Sequence, residues 1–180
     1  SDAGYGHRSA AVSVSKALEV LFPGQVDCQV TNPIQETDTP TVMKPIEKGY
    51  DLSVRYGPGL YRLSYEVSDS RFMSEMVEGA LGIILQKILT EAIASFKPDA
   101  ILNTNLMFNK PIGKALQEFD RYIPAYTVVT DLADVHSLWF APEPDLFFLA
   151  NEWVKVKALE NGVPEEKLVI SGIPVSPDFA

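Results

Sequence analysis

Apolar residues recur along the chain with two alternating periods. Ala10, Ala11, Val14, Ala17, Leu18 and Leu21 follow a 3.6-residue repeat that predicts a helix running out of Gly4-Tyr5-Gly6-His7, and Phe22-Pro23-Gly24 ends it. Val26-Asp27-Cys28-Gln29-Val30 alternates with a period of two and predicts a short strand. Leu81, Ile84, Leu85, Ile88, Leu89, Ala92, Ile93 and Phe96 hold one apolar face over four turns until Lys97-Pro98, the clearest helix in the chain. Residues 99–104 then read as a buried strand that turns polar at its carboxyl end. Residues 110–119 read as a helix with Ile112, Ala115, Leu116 and Phe119 inward, and residues 124–130 as another strand. The alternation continues with a strand at 146–150, a helix at 152–160 capped by Asn151 and closed by Gly162, and a strand at 168–170.

Regular alternation of this kind predicts an α/β fold: a Rossmann-like open parallel sheet with helices on both faces, folded as one domain over residues 1–180. Ligands of such sheets bind beyond the carboxyl ends of the strands. Those ends carry Gly4 to His7, Asn103 to Asn105, Thr130 to His136, Asn151-Glu152 and Gly172-Ile173-Pro174. The strand expected before Gly4 is missing, so the chain reads as a piece of a longer protein.

Two stretches depart from the pattern. Residues 31–45 are rich in Thr, Pro and acids and read as a loop. Residues 46–78 hold Tyr50, Tyr56, Tyr61, Tyr65, Phe72, Met73 and Met76 with a break at Gly57-Pro58-Gly59, which suits two short helices. One reading is an irregular helical cover over one end of the sheet. The other is a mobile amphipathic flap that meets an apolar ligand or a membrane interface, where Tyr rings and the stems of Arg55, Arg62 and Arg71 are at home.

Composition narrows the classes. A chain of 180 residues, 46% hydrophobic, can bury one good core. No apolar run approaches the roughly twenty residues that span a bilayer, and no secretory signal is visible. The net charge of −9 argues against a nucleic-acid partner. The single Cys28 excludes an internal disulfide and fits a reducing compartment.

Candidate chemistry gathers at the strand ends. His7 sits at a helix N-terminus, where unpaired N–H groups and the helix dipole favour an oxygen-rich ligand and disfavour a protonated imidazole. A neutral histidine beside a polar ligand can act as a general base; the competing reading is a βα turn whose glycines only serve the turn and whose His7 caps or packs. Asp131 follows a strand and can orient His7, accept its proton or cap the next turn. Asn105, Thr130, His136, Trp139 and Glu152 are substrate-binding candidates from the same ends; for His136 and Trp139 ordinary packing is the competing role. His7 and His136 lack local metal-ligand spacing, so no metal and no cofactor are expected. No Gly-x-Ser-x-Gly elbow occurs.

At this point the motifs acquire a family resemblance. Asp2-Ala3-Gly4-Tyr5-Gly6-His7-Arg8-Ser9-Ala10-Ala11 resembles the Asp-Thr-Gly-Gly-Gly-His-Arg-x-Ser-Ala signature of the monogalactosyldiacylglycerol synthase and processive diacylglycerol glycosyltransferase family. Val128-Val129-Thr130-Asp131 with His136 and Trp139-Phe140 is similar to that family's Val-Ile-Thr-Asp…His-x-x-Trp-Phe segment. Glu152, the run Ala158-Leu159…Gly162-Val163, and residues 170–179, similar to a Gly-x-Pro-Val-x-Pro-x-Phe exit, complete the match in order.

The resemblance implies the N-terminal, acceptor-side half of a GT-B glycosyltransferase, which transfers a hexosyl group from a UDP-sugar to diacylglycerol with inversion and without a catalytic metal. His7 becomes the base for the lipid hydroxyl, Asp131 its supporting residue, and Gly4, Tyr5 and Gly6 the loop between acceptor and donor phosphates. The resemblance makes the 46–78 segment, with Tyr50, Tyr56, Tyr61, Arg62 and Tyr65, the lipid-facing region of a peripheral, cytoplasmic-side enzyme. The UDP-sugar would be bound mainly by a further domain, and the chain alone is expected to be inactive. Tyr5 replaces a family glycine, and the acidic balance is unusual for a protein working at anionic lipid. Alternatives are a GT-B transferase for a polyprenyl-linked or other apolar acceptor, a nucleotide-sugar isomerase of the same fold, and a non-catalytic lipid-binding domain.

Overall fold

The computed structural model describes residues 6–33, 79–141 and 143–179. Gly4, Tyr5, most of the 31–45 loop and the 46–78 segment with its Tyr and Arg candidates lie outside the described residues.

Helix α1 spans Gly6–Leu21 and buries a narrow stripe of small residues, Ala10 and Ser13. The Ser13 hydroxyl donates back to the Ser9 carbonyl at 2.7 Å, which satisfies it inside the helix. The expected apolar stripe holds at Ala10 but fades toward the far end: Val20 and Leu21 are about 70% exposed. Helix α2, Ala80–Phe96, matches its pattern more closely, with Leu85, Ile88, Leu89 and Ile93 buried at one face. It stops because Pro98 disfavours the α region for the residue before it. Lys97 turns left-handed at φ 55° and sends its N–H to the Ile93 carbonyl.

Four parallel strands follow: β1 (Ile101–Asn103), β2 (Ala125–Val128), β3 (Leu146–Leu149) and β4 (Leu168–Ile170), in the order β1-β2-β3-β4. The register pairs Ile101 with Ala125, Thr127 with Phe147, and Phe147 with Leu168. Side chains alternate across a strand, so Ile101, Ala125, Thr127, Phe147, Leu149 and Leu168 share one face. Helix α3, Asn109–Leu116, and α2 pack with Ile101 and Ala125 at one end of that face. Helix α4, Glu152–Glu160, packs with Phe147, Leu149 and Leu168 at the other. The open parallel α/β sheet of Rossmann-like type is therefore the architecture of the chain.

Several boundaries move: the strands read at 99–104 and 124–130 are shorter, as β1 and β2. The 110–119 helix begins at Asn109 and ends at Leu116, where the Phe119 N–H closes a tighter turn onto the Leu116 carbonyl. Residues 26–30, expected as a strand, are not one; they run as irregular chain, largely exposed. Alternation alone does not make a strand without a neighbour to complete its hydrogen bonds. Among the described residues no chain pairs with this stretch, and β1 forms an edge of the described sheet.

Candidate functional site

The first turn of α1 sets His7 against the carboxyl ends of β1 and β2. Two threonines hold it there. The Thr104 hydroxyl, one residue past β1, donates to the His7 carbonyl at 2.9 Å. Thr130, two residues past β2, places its Oγ1 2.9 Å from His7 Nδ1. The ring is half-buried and lies 5.8 Å from the fully buried Trp139 ring at a tilt of 57°.

Burial is the largest influence on the imidazole, and it pushes the pKa of His7 below the ordinary 6.5; the nearby Asp131 carboxylate and a backbone hydrogen bond with Thr104 oppose it without reversing it. The neutral ring is thus the form that the site favours at neutral pH.

Asp131 does not bond His7. Its Oδ2 accepts the indole N–H of Trp139 at 2.7 Å, and Trp139 is itself part of the core formed with Phe147, Leu149 and Val154. Trp139 is carried by a short 3₁₀ turn, Ser137–Phe140, which the neighbouring histidine starts. His136 is buried and its Nδ1 accepts the Leu138 N–H at 3.1 Å, so this imidazole serves the turn. Asn105 is likewise buried and caps the 3₁₀ turn Leu106–Phe108 by accepting the Met107 N–H at 3.0 Å. Glu152 is exposed in the first turn of α4. Of the residues named from sequence, the structure gathers His7, Thr130, Asp131 and Trp139 into one cluster. Asn105 and His136 sit on its supporting turns.

Sequence reasoning passed over four residues. Thr104, Asn103, Asn109 and Thr127 are all buried and polar. Asn109 Oδ1 accepts from Thr127 Oγ1 at 2.7 Å and from Asn103 Nδ2 at 2.5 Å, and Asn109 Nδ2 donates to the Trp139 carbonyl at 2.8 Å. Asn103 also donates to the Asn105 carbonyl at 2.8 Å and accepts the Asn105 N–H at 3.0 Å. The only local signal was a strand turning polar at its end, which marked Asn103 and Thr104 as a place but not as parts.

A parallel α/β sheet with a histidine at the first helix N-terminus, held by threonines at two strand ends, defines the class: a Rossmann-like domain with its candidate site where such sheets take ligands. Within that class the assignment is specific. The chain belongs to the monogalactosyldiacylglycerol (MGDG) synthase family, whose model matches residues 7–175. It is 25% identical over 182 residues to monogalactosyldiacylglycerol synthase 2, chloroplastic, of Arabidopsis thaliana, covering all of this chain and 38% of that protein. It is 32% identical over 178 residues to a processive diacylglycerol beta-glucosyltransferase of Bacillus cytotoxicus, covering 98% of this chain and 44% of the relative. The Bacillus subtilis enzyme of the same name is 29% identical over 179 residues, 98% of this chain and 45% of its own. The chain therefore spans less than half the length of these relatives.

Proposed function

We propose that this chain is the acceptor-side domain of a GT-B glycosyltransferase that moves a hexosyl group from a UDP-sugar to diacylglycerol. The observation that carries this reading is His7: a neutral-biased imidazole at a helix N-terminus, fixed by Thr104 and Thr130 where two strands end. The names of the relatives supply the substrate class, since they act as diacylglycerol glycosyltransferases.

The geometry supports the following chemistry. In the tautomer where Nδ1–H donates to Thr130 Oγ1, the basic lone pair of His7 is on Nε2. Nε2 takes the proton of the acceptor hydroxyl as its oxygen attacks the anomeric carbon of the sugar. The bond to the diphosphate breaks, UDP leaves with the electron pair, and attack from the opposite face inverts the centre. The proton left on His7 meets the field of Asp131, which raises the imidazole's affinity for it. Asp131 is held for that task by Trp139. The UDP-sugar is bound mainly by a further domain.

Membrane contact is peripheral in this reading. Among the described residues no helix is long and apolar enough to cross a membrane. The Tyr and Arg residues between Tyr50 and Tyr65 dock the enzyme on the cytoplasmic surface of the bilayer, next to its lipid.

The test is activity of the full-length protein with diacylglycerol liposomes and a panel of UDP-sugars. Transfer of one sugar, reduced roughly 10²–10⁴-fold in kcat by His7→Ala with the fold retained, is the expected result. A His7→Ala enzyme as active as its parent would remove the base assignment. Transfer only to a polyprenyl-linked or other apolar acceptor would remove diacylglycerol as the acceptor.

A further inference from the structure

The two strand ends and the turn that make the site meet at one buried amide. Asn109 opens α3 and is 2% exposed. Each of its three hydrogen bonds leads to the strand end or turn that carries a partner of His7 or Asp131. Thr127 lies on β2 three residues before Thr130, whose hydroxyl meets the His7 ring. Asn103 ends β1 directly before Thr104, whose hydroxyl holds the His7 backbone. The Trp139 carbonyl belongs to the residue whose indole holds Asp131 and whose ring faces His7.

An apolar side chain at such a depth would avoid the desolvation that a buried amide incurs. A primary amide offers what an apolar group cannot: an acceptor that takes two donors and, on the same rigid plane, a donor for a carbonyl. From this juxtaposition we infer that Asn109 is the positioning residue of the site, setting the spacing of the β1 end, the β2 end and the 137–140 turn, and through them the placement of His7 and Asp131. The inference rests on the reading of His7 as the base. It assigns Asn109 no contact with substrate.

Asn109→Asp in the full-length protein is the informative change. It keeps the shape and the acceptor that serves Thr127 and Asn103, and sets an oxygen against the Trp139 carbonyl in place of the N–H. Three quantities are read. Circular dichroism reports the fold, and kcat and KM are taken with the liposome assay. The ring titration of His7 is followed by NMR on histidine-labelled protein, with His7→Gln identifying the signal. In the folded variant, kcat falls roughly 10–100-fold with KM within about twofold, as displacement of a reacting group on the order of 1 Å produces. The His7 titration moves up toward 6.5 as the loosened ring meets water.

Thr127→Val, which removes one hydroxyl at constant shape, replaces Asn109→Asp if the latter does not fold, with the same directions and smaller size. A folded variant whose His7 titration and kcat both stay at the parent values overturns the inference. In Thr127→Val, which adds no charge, a moved titration with unchanged transfer upholds the positioning of His7 and overturns the base reading instead, so the two failures are distinguishable.

Discussion

The Asp131 carboxylate receives the Trp139 indole N–H at 2.7 Å and leaves the His7 ring to Thr130. A carboxylate in this arrangement influences the imidazole through space, as a fixed negative charge, and its aim depends on an indole that is itself fully buried. Asp131 and Trp139 therefore act as one unit, with the aromatic residue as the mount.

Trp139→Phe separates the two roles of that mount. Phenylalanine retains most of the ring packing but has no N–H for Asp131. A hydrogen bond to a charged acceptor contributes about 1.5–3 kcal/mol, so a loss on the order of 2 kcal/mol is expected in urea denaturation. Activity should fall roughly tenfold or more as the carboxylate drifts. A variant with the parent's denaturation midpoint and turnover would show that the bond matters to neither.

Acid should weaken the fold through His7. Its folded pKa lies below the ordinary 6.5 that it regains on unfolding. Between those values the unfolded chain binds more protons than the folded one, so stability is complete above pH 6.5 and is lost as pH falls through the folded pKa. The same depression keeps His7 neutral at pH 7, and the acid limb of kcat/KM for the full-length enzyme should lie below 6.5. His7→Gln should flatten the stability loss below pH 6.5. A limb centred above 7, or an acid profile identical in His7→Gln, contradicts this.

How far the sequence could be read depended on where each signal lies. Helix α4 was legible at both ends because its signals are local: Asn151 accepts the Val154 N–H at 3.0 Å, and Gly162 at φ 83° closes a Schellman motif in which the Val163 N–H reaches the Ala158 carbonyl. Helix α2 was legible because four turns of one apolar face leave little else for it to be. Residues 26–30 misled because a strand is a property of two chains, and alternation describes only one. Asn109 was illegible for a related reason. A polar residue at a helix start reads as a cap, whereas its partners are 6, 18 and 30 residues away in sequence. The sequence placed Asp131 and His7 at strand ends, and the structure sets both beside the end of β2, but no pattern could say that an indole would take the carboxylate.

Gly113 in α3 is a contact glycine. A methyl group there would overlap Cβ and Cγ of Glu143, which packs against the helix. Alanine gains about 1 kcal/mol in helix propensity over glycine, while overpacking of this kind costs about 1–3 kcal/mol. Gly113→Ala should therefore lower the stability by about 1 kcal/mol in chemical denaturation, and Glu143→Ala in the same chain should restore part of it by removing Cγ. A stabilised Gly113→Ala would mean that Glu143 yields freely.

Asn151 joins α4 to the loop that carries Asp131. Its Oδ1 caps the helix at Val154 N–H, and its Nδ2 donates to the Leu132 carbonyl at 3.0 Å. One residue further on, the Ala133 carbonyl accepts the Trp153 indole N–H at 3.0 Å, so the first turn of α4 fastens the chain immediately after Asp131 at two points. Asn151→Asp keeps the capping oxygen and removes the donor to Leu132, whereas Asn151→Ala removes both. The alanine variant should lose about 1 kcal/mol, the usual worth of an N-cap, and the aspartate variant much less, because a negative charge in the cap also suits the helix dipole. Both should speed hydrogen exchange at residues 132–135 relative to the parent. Equal stability losses in the two variants would locate the energy in the Leu132 tether; unchanged exchange in both would show that Trp153 alone fixes the loop.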